Sequence, residues 1–568
     1  MRRSIFKTCL LALLALTFGA PAHSQTNPPP DVTVTGEGPD DDFGWRVAPA
    51  GDVDGDGAPD LIVGAPSNDF VDDFAGRAYL FYGPITGDLD AADADAIVTA
   101  EAFGDNLGIS VSSAGDVNAD GFDDVLIGAR GNDTPGTQAG RAYLFLGPIH
   151  GQLDATEADA IISGAPFEEI GGAVAPAGDL DGDGFDDILL GTAAFSLNVT
   201  EGQAFLFYGP ISGHRTSASA EAIIRGTFFS ESLGASVASA GDVNQDGTND
   251  IIIGAPHFPL NSQGPGRAYV FYGPVFGAQS AASADAILFG EAINDSFGTS
   301  VARAGDVNGD GIADVVVGAE QIFTNNGTGK AYLFLGPLSG PIQASAADAI
   351  LLGDEVKDLF GISVAGGDVS GDGFSDVVVG AWNAAGRSGR GYVFHGPLAG
   401  TIPAANADFI VRGGPIDQLG LSVATGDVNG DEVSDVLLGA PQFTEGEPGY
   451  AAIFFGGGAQ APDLALTLSP REPPIVIPPA GGSFRYALEL VNQGDAPRTV
   501  DIWILLTGPG ANRTLVRVTR TLGSGASLRR TFTQVVPGGL PAGVYTVTAN
   551  AGTFPNAEVT DSFTFVKQ

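Results

Sequence analysis

The chain has 568 residues, and 68 acidic side chains against 25 basic ones leave a formal net charge of −43. Such an excess excludes nucleic acid and anionic membrane surfaces as partners, since their phosphates need a basic face, and it favours cations. Forty-four per cent of residues are hydrophobic, and 84 glycines and 36 prolines occur without a collagen-like triplet. That composition excludes disorder over most of the length and implies many tight turns between short strands.

Residues 1–24 have the layout of a secretory signal peptide. Arg2, Arg3 and Lys7 precede an apolar stretch, and small residues follow at Ala20, Ala22 and Ser24. The apolar stretch is too short to span a bilayer, and cleavage is expected near Ser24–Gln25. The expected location is secreted, extracellular or at the cell surface, with the periplasm as an alternative. The single cysteine, Cys9, lies inside this leader, so the exported chain needs a staple other than a disulfide. Without the leader's three cations, 22 bases face 68 acids, a net of −46. No later segment is long and apolar enough to cross a membrane.

From residue 31 to 458 the chain repeats itself. GDVDGDGAPD at Gly51–Asp60 returns at Gly115, Gly178, Gly241, Gly305, Gly367 and Gly426. The leading aspartates are 64, 63, 63, 64, 62 and 59 residues apart. Each period holds four strand-like stretches, for example Asp285–Gly290, Phe297–Gly305, Asp314–Ala319 and Lys330–Gly336, bounded by Gly, Pro, Asn or Asp. Seven periods of four strands predict an all-β fold, a seven-bladed β-propeller over residues 31–458. A lone strand, Asp31–Gly36, opens the array, and no outer strand follows Tyr450–Gly456 at its end. The first strand would therefore complete the seventh blade and remove an exposed edge.

Numbered from the first aspartate, position 1 of the loops is Asp52, Asp116, Asp179, Asp242, Asp306, Asp368 and Asp427. Position 3 is Asp54, Asn118, Asp181, Asn244, Asn308, Ser370 and Asn429. Position 5 is Asp56, Asp120, Asp183, Asp246, Asp310, Asp372 and Asp431, and position 9 is Asp60, Asp124, Asp187, Asp250, Asp314, Asp376 and Asp435. A backbone carbonyl is expected to join from position 7, at Ala58, Phe122, Phe185, Thr248, Ile312, Phe374 and Val433. Alternating oxygen ligands, a glycine turn and a late acid suit a hard cation such as Ca²⁺, which takes six to eight oxygens; Mg²⁺ prefers a tight octahedron with its waters. A single such loop reads equally as a solvated acidic turn. Seven loops that keep Asp at positions 1, 5 and 9 favour up to seven Ca²⁺. Loops six and seven are the least secure, because Ser370 is a weaker ligand and Glu432 replaces a turn glycine.

Phe43–Gly44, Gly64–Pro66 and Gly76–Phe81, with their counterparts Phe297–Gly298, Gly254–Pro256 and Gly266–Phe271, resemble the FG-GAP repeats of the integrin α-chain head. The resemblance covers about three quarters of the chain. It implies a seven-bladed propeller, Ca²⁺ in loops between the first and second blade strands, and ligands on the opposite face. A bacterial secreted relative is implied by the leader and the lack of cysteine. Among the variable loops on that opposite face, Trp382, Arg387 and His257 are candidate contacts.

No G-x-S-x-G elbow or histidine metal spacing is present, and His150, His214, His257 and His395 share no repeated motif. The chain is read as non-enzymatic. Residues 463–568 carry seven further strand patterns and eight arginines, and are read as an immunoglobulin-like β-sandwich. The expected function is that of a secreted, calcium-binding propeller acting in adhesion or extracellular recognition, a monomer whose ligand is an extracellular protein or glycan. A lectin-like propeller is the alternative, and an extracellular hydrolase the third reading.

Overall fold

A computed structural model describes residues 28–568 apart from 193–200, 229–230, 257–263, 322–326, 443–446, 458–463, 471–474, 493–497, 510, 523–525 and 554–555. The leader read at residues 1–24, with Cys9, lies outside the described residues. The chain divides into two compact units, one ending at Phe454 and one beginning at Phe455. Among the described residues no helix is long and apolar enough to cross a membrane.

The first unit is a ring of seven β-sheets. In blade one the strands run from the innermost, Arg46–Gly51, through Asp60–Ala65 and Arg77–Phe81 to Ala96–Thr99, each antiparallel to the next. The second strand is buried from end to end in all seven blades. Its apolar triplets (Leu61–Val63, Val315–Val317) lie between neighbouring sheets and have no solvent face, so they show no alternation. The innermost strands touch in order around the ring, and Ser422–Gly426 of the last blade meets Arg46–Gly51 of the first.

Closure follows the phase of the repeat. Val32–Pro39 pairs antiparallel with Pro448–Phe454, with Val32 opposite Ile453 and Val34 opposite Ala451. The four-strand period is incomplete, however. Between the third and fourth strands a short strand reaches back to the preceding blade and pairs parallel with its outer strand. Gly151–Asp154 joins Ala96–Thr99 in this way, and Gly277–Ser280 joins Ala222–Arg225. Leu89–Asp90 does the same to Val32–Pro39, fastening the closing strand from outside. These latches were not legible because GQLD and GAQS are exposed and lack the β-branched alternation that marks a strand.

The tightest contact between blades is glycine against glycine. A Cβ on Gly64 would lie 2.0 Å from the carbonyl oxygen of Gly108, the glycine of the next blade's Leu107–Gly108 pair. The same approach recurs for Gly128 and Gly171, Gly191 and Gly234, Gly254 and Gly298, Gly318 and Gly361, Gly380 and Gly420, and Gly439 and Gly44. Serines fasten it: Ser110 Oγ donates to the Gly171 carbonyl at 2.7 Å, and Ser300 Oγ to that of Gly361 at 2.9 Å.

The second unit packs a sheet of Leu464–Pro470, Gly481–Asn492 and Ser527–Pro537 against a five-stranded one. The latter holds Val476–Ile477, Asn556–Lys567, Gly543–Thr553, Arg498–Gly508 and Ala511–Leu522. Tyr486, Leu488 and Leu490 from one sheet and Ile502, Val547 and Phe565 from the other form a shared core. Val476–Ile477 is a strand beyond the seven expected.

Gly254→Ala tests the glycine contact, because the new methyl would sit 2.1 Å from the Gly298 oxygen and 2.2 Å from Ser236 Oγ. Overpacking of this kind costs about 1–3 kcal/mol. Calcium-free denaturant unfolding of the variant is expected to show that loss in its midpoint.

Candidate functional site

Each acidic loop joins the innermost strand of a blade to its second, and all seven close through the same hydrogen bonds. The position-1 carboxylate accepts the position-6 N–H: Gly57 to Asp52 at 3.0 Å, Gly121 to Asp116 at 2.9 Å, Gly184 to Asp179 at 3.0 Å, Gly247 to Asp242 at 2.8 Å. Gly311 donates to Asp306 at 2.7 Å, Gly373 to Asp368 at 2.9 Å and Glu432 to Asp427 at 2.7 Å. The position-5 carboxylate accepts the position-7 N–H in every loop, as from Ala58 to Asp56 at 2.9 Å. Such Asx turns are why aspartate folds the segment into a compact bowl.

Position 9 begins the second strand and is fully buried. One oxygen of Asp60 accepts from Val53 N–H at 2.8 Å, and the other from Gly83 N–H at 2.7 Å, after the third strand. The first of these bonds recurs in all seven loops, and the second joins the same two positions in loops two to six. Position 9 therefore ties three strands together whatever else it binds. Burial pushes Asp60, Asp124, Asp187 and Asp250 up to about 7 and Asp314 to about 6, against these two N–H donors. The neighbouring loop carboxylates add a smaller push the same way.

The loops divide by position 3. Oxygens of Asp52, Asp54 and Asp56 lie within 4.8 Å of one another, as do those of Asp179, Asp181 and Asp187. Asp52 Oδ1 is buried and has no hydrogen-bond partner. An all-oxygen bowl with an orphaned, buried carboxylate oxygen fits a hard cation. In loops two, four, five and seven the position-3 asparagine partly closes the bowl by itself. Its amide donates to the position-5 carboxylate at 2.9, 2.9, 2.9 and 3.1 Å. Ser370 makes a longer contact, 3.4 Å, to Asp368.

Position 8, which the sequence analysis assigned no ligand role, links the loops to each other. Asp123 N–H donates to the Asp52 carbonyl at 3.0 Å, and its carboxylate accepts from Asp52 N–H at 2.8 Å. Asp186 does the same to Asp116, and Ser375 to Asp306 with its hydroxyl oxygen accepting in place of a carboxylate. Pro59 holds this position in loop one and lacks the N–H. The recurring pair Asp-Asp was the available signal.

Glu432 at position 6 of loop seven has φ 70°, whereas the glycines there have φ between 84° and 94°. The loop thus keeps its shape with a side chain in the left-handed region, at a steric cost.

The turns entering blades two to seven lie on the face away from these loops, and each presents an apolar tip. These are Phe103, Phe167, Phe228, Ile293, Val356 and Ile416, between 42% and 63% exposed. Beneath the tips runs a second repeated set that sequence reasoning missed, although Gly-Arg-Ala-Tyr carries it. Arg77 pairs with Glu37 at 2.9 Å, Arg141 with Glu101 at 2.5 Å and Arg390 with Glu355 at 3.1 Å, and Lys330 pairs with Glu291. Tyr143 Oη joins Glu101 at 2.6 Å. Trp382 and Arg387 lie in the blade-six loop on this face, where Arg387 has φ 76°. His257 lies outside the described residues. Glu320, at the end of a second strand, is 4% exposed, and burial alone pushes it up to about 7.

The FG-GAP repeat model matches residues 43–81, 107–145, 233–271, 297–334, 360–394 and 419–454. The chain is similar to integrin alpha pat-2 of Caenorhabditis briggsae, 30% identical over 294 residues, 46% of this chain and 22% of that one. It is also similar to integrin alpha-5 of Xenopus laevis, 30% identical over 38% of this chain and 20% of that one. Integrin alpha-X of Homo sapiens is 36% identical over 28% of this chain and 14% of that one. The matches thus span about a fifth or less of those integrin α chains.

Two substitutions follow from these strained or buried groups. Glu432→Gly relieves the left-handed residue and is expected to stabilise the fold by about 1 kcal/mol, read as a raised thermal midpoint. Glu320→Gln acts through pH. A carboxyl with a folded pKa near 7 and an ordinary value of 4.5 carries no penalty below pH 4.5 and its full penalty above 7. The variant should match the parent at pH 4.5 and gain on the order of 2–3 kcal/mol at pH 8.

Proposed function

The chain is an integrin-α-like FG-GAP repeat protein, and on that premise we propose that it is an exported, calcium-stabilised propeller used in adhesion or extracellular recognition. Integrin-α-type FG-GAP propellers are non-enzymatic, and at family level they serve adhesion. The observation that carries the reading is the division of labour between the two faces. One face repeats an acidic, hydrogen-bonded bowl seven times, and the other combines apolar turn tips with loops that differ from blade to blade.

In this reading Asp52, Asp54, Asp56 and Asp60 hold one Ca²⁺, with the Ala58 carbonyl, and Asp179, Asp181, Asp183 and Asp187 hold another, with that of Phe185. The asparagine loops hold it more weakly, and loops six and seven most weakly. A bound ion supplies positive charge that lets position 9 ionise where burial opposes it. The residues themselves shape the bowl and pin the strands. The second unit serves as an immunoglobulin-like spacer or docking module. The ligand, a protein or a glycan, meets the face with the variable loops, and the chain acts as a monomer.

Full-length protein should unfold at a lower temperature in EDTA than in millimolar Ca²⁺. For dissociation constants on the order of 10⁻⁴ M, 1 mM Ca²⁺ adds about 1.4 kcal/mol per site. Asp54→Ala with Asp181→Ala should remove most of that shift, whereas an unchanged midpoint after thorough chelation would refute the cation role. Recognition is tested by screening the calcium-loaded chain against glycan and extracellular-protein arrays beside a hydrolase panel. Turnover lost on mutating His395 would replace recognition with catalysis.

A further inference from the structure

On the face opposite the acidic loops, one loop differs from the rest of the described surface. In Ser67–Ala75 every residue from Asp69 to Phe74 is exposed, and three are large and apolar. Phe70 is 66% exposed, Val71 48% and Phe74 54%. Phe103, 63% exposed, joins them from the adjoining turn. That turn is fastened to the loop, since Gly104 N–H donates to the Asp73 carbonyl and Asn106 N–H to that of Phe74, both at 3.1 Å.

The loop is built to hold this display. Buried Asn68 anchors its base, donating to Asp41 at 2.9 Å and accepting from Phe70 N–H at 3.0 Å. Phe74 has φ 55°, a conformation a bulky side chain rarely adopts, and its N–H is held by Asp69 at 2.7 Å. The Phe70 ring lies on the guanidinium of Arg77, 3.4 Å from ring centre to Cζ, and Arg77 is itself paired with Glu37. One ring face is thus occupied and the other meets water. Gln138 and Arg387 hold the equivalent position at φ 50° and 76°, so the turn belongs to the scaffold and the bulky aromatic placed on it is particular to this loop.

We propose that Phe70, Val71, Phe74 and Phe103 form the docking patch for a protein segment that carries apolar anchors beside lysine or arginine. This rests on the recognition reading above and names its partner chemistry. Clustered apolar exposure marks an interaction site. The cation is argued from charge: Asp69, Asp72 and Asp73 are exposed within the same six residues, on a chain of net charge −43. Such a border repels anionic partners and attracts cationic ones. Aromatic anchors at the centre with charges at the rim is the arrangement by which interfaces concentrate binding.

The test pans a random peptide-phage library on the full-length, calcium-loaded chain. Enriched peptides should pair Leu, Phe or Trp with Lys or Arg. Their synthetic versions should bind Phe70→Ser/Phe74→Ser about tenfold or more weakly. Asp72→Asn/Asp73→Asn should weaken binding and flatten its salt dependence. Both variants should keep the parent's unfolding midpoint and calcium response. No enrichment, enrichment of peptides without cations, or equal binding by Phe70→Ser/Phe74→Ser overturns the proposal. A ligand from the glycan or protein arrays that binds all variants alike leaves recognition standing and removes this patch. A chain that binds nothing in any screen removes both.

Discussion

The ring depends on one close approach repeated seven times, a glycine of one blade's second strand against the glycine that opens the next blade's innermost strand. No side chain larger than hydrogen fits there, since an added Cβ would lie 2.0–2.1 Å from a carbonyl oxygen. The sheets can then approach closely enough for their buried second strands to share one packed interior. Because the motif supplies both partners of the contact, each period specifies its own docking to its neighbour. That is why seven copies close without a special corner piece.

Closing a ring by backbone contact leaves the ends of the strands to be fixed separately. On one face position 9 does this, spending both carboxylate oxygens on N–H groups from two different segments. The arrangement is costly in charge, since a buried aspartate is crowded by two or three more in its own loop. The carboxylates are organised by backbone donors, so the shape of the bowl is set by the chain's own hydrogen bonds. This explains why loop seven keeps the same hydrogen bonds despite Glu432: the Asx turns, more than the glycine, dictate the path.

How much of this was legible depended on repetition. A single GDVDGDGAPD is ambiguous, but seven at one spacing disclosed the blade count, and the unmatched first and last strands disclosed the closure. The glycines and serines of the repeat were visible as a motif before their contacts were known. The latches Gly151–Asp154 and Gly277–Ser280 escaped because their pairing is set by the neighbouring blade's outer strand and not by their own pattern. Position 8 escaped for a related reason. Asp123 bonds across to Asp52, 71 residues away, so no local reading of its loop reveals the partner. Phe74 is harder still, since its left-handed backbone recurs at Gln138 and Arg387, residues with no side-chain type in common to mark it.

The division between repeated and unrepeated parts is itself a physical result. Glycine contacts, position-9 clamps and latches all lie away from the loops between second and third strands. Those loops bond to the turn entering the next blade mainly through main-chain groups, as the Asp73 and Phe74 carbonyls do with Gly104 and Asn106, so their side chains are free to differ from blade to blade. The acidic face lacks that freedom, because each loop there is bonded to its neighbour as well as to its own strands. Selection for a ligand therefore acts cheaply on one face and expensively on the other. The left-handed turn of Ser67–Ala75 belongs to the shared scaffold, since Gln138 and Arg387 adopt it too. Its three large exposed apolar side chains, by contrast, make no glycine contact, clamp or latch and are intelligible as binding.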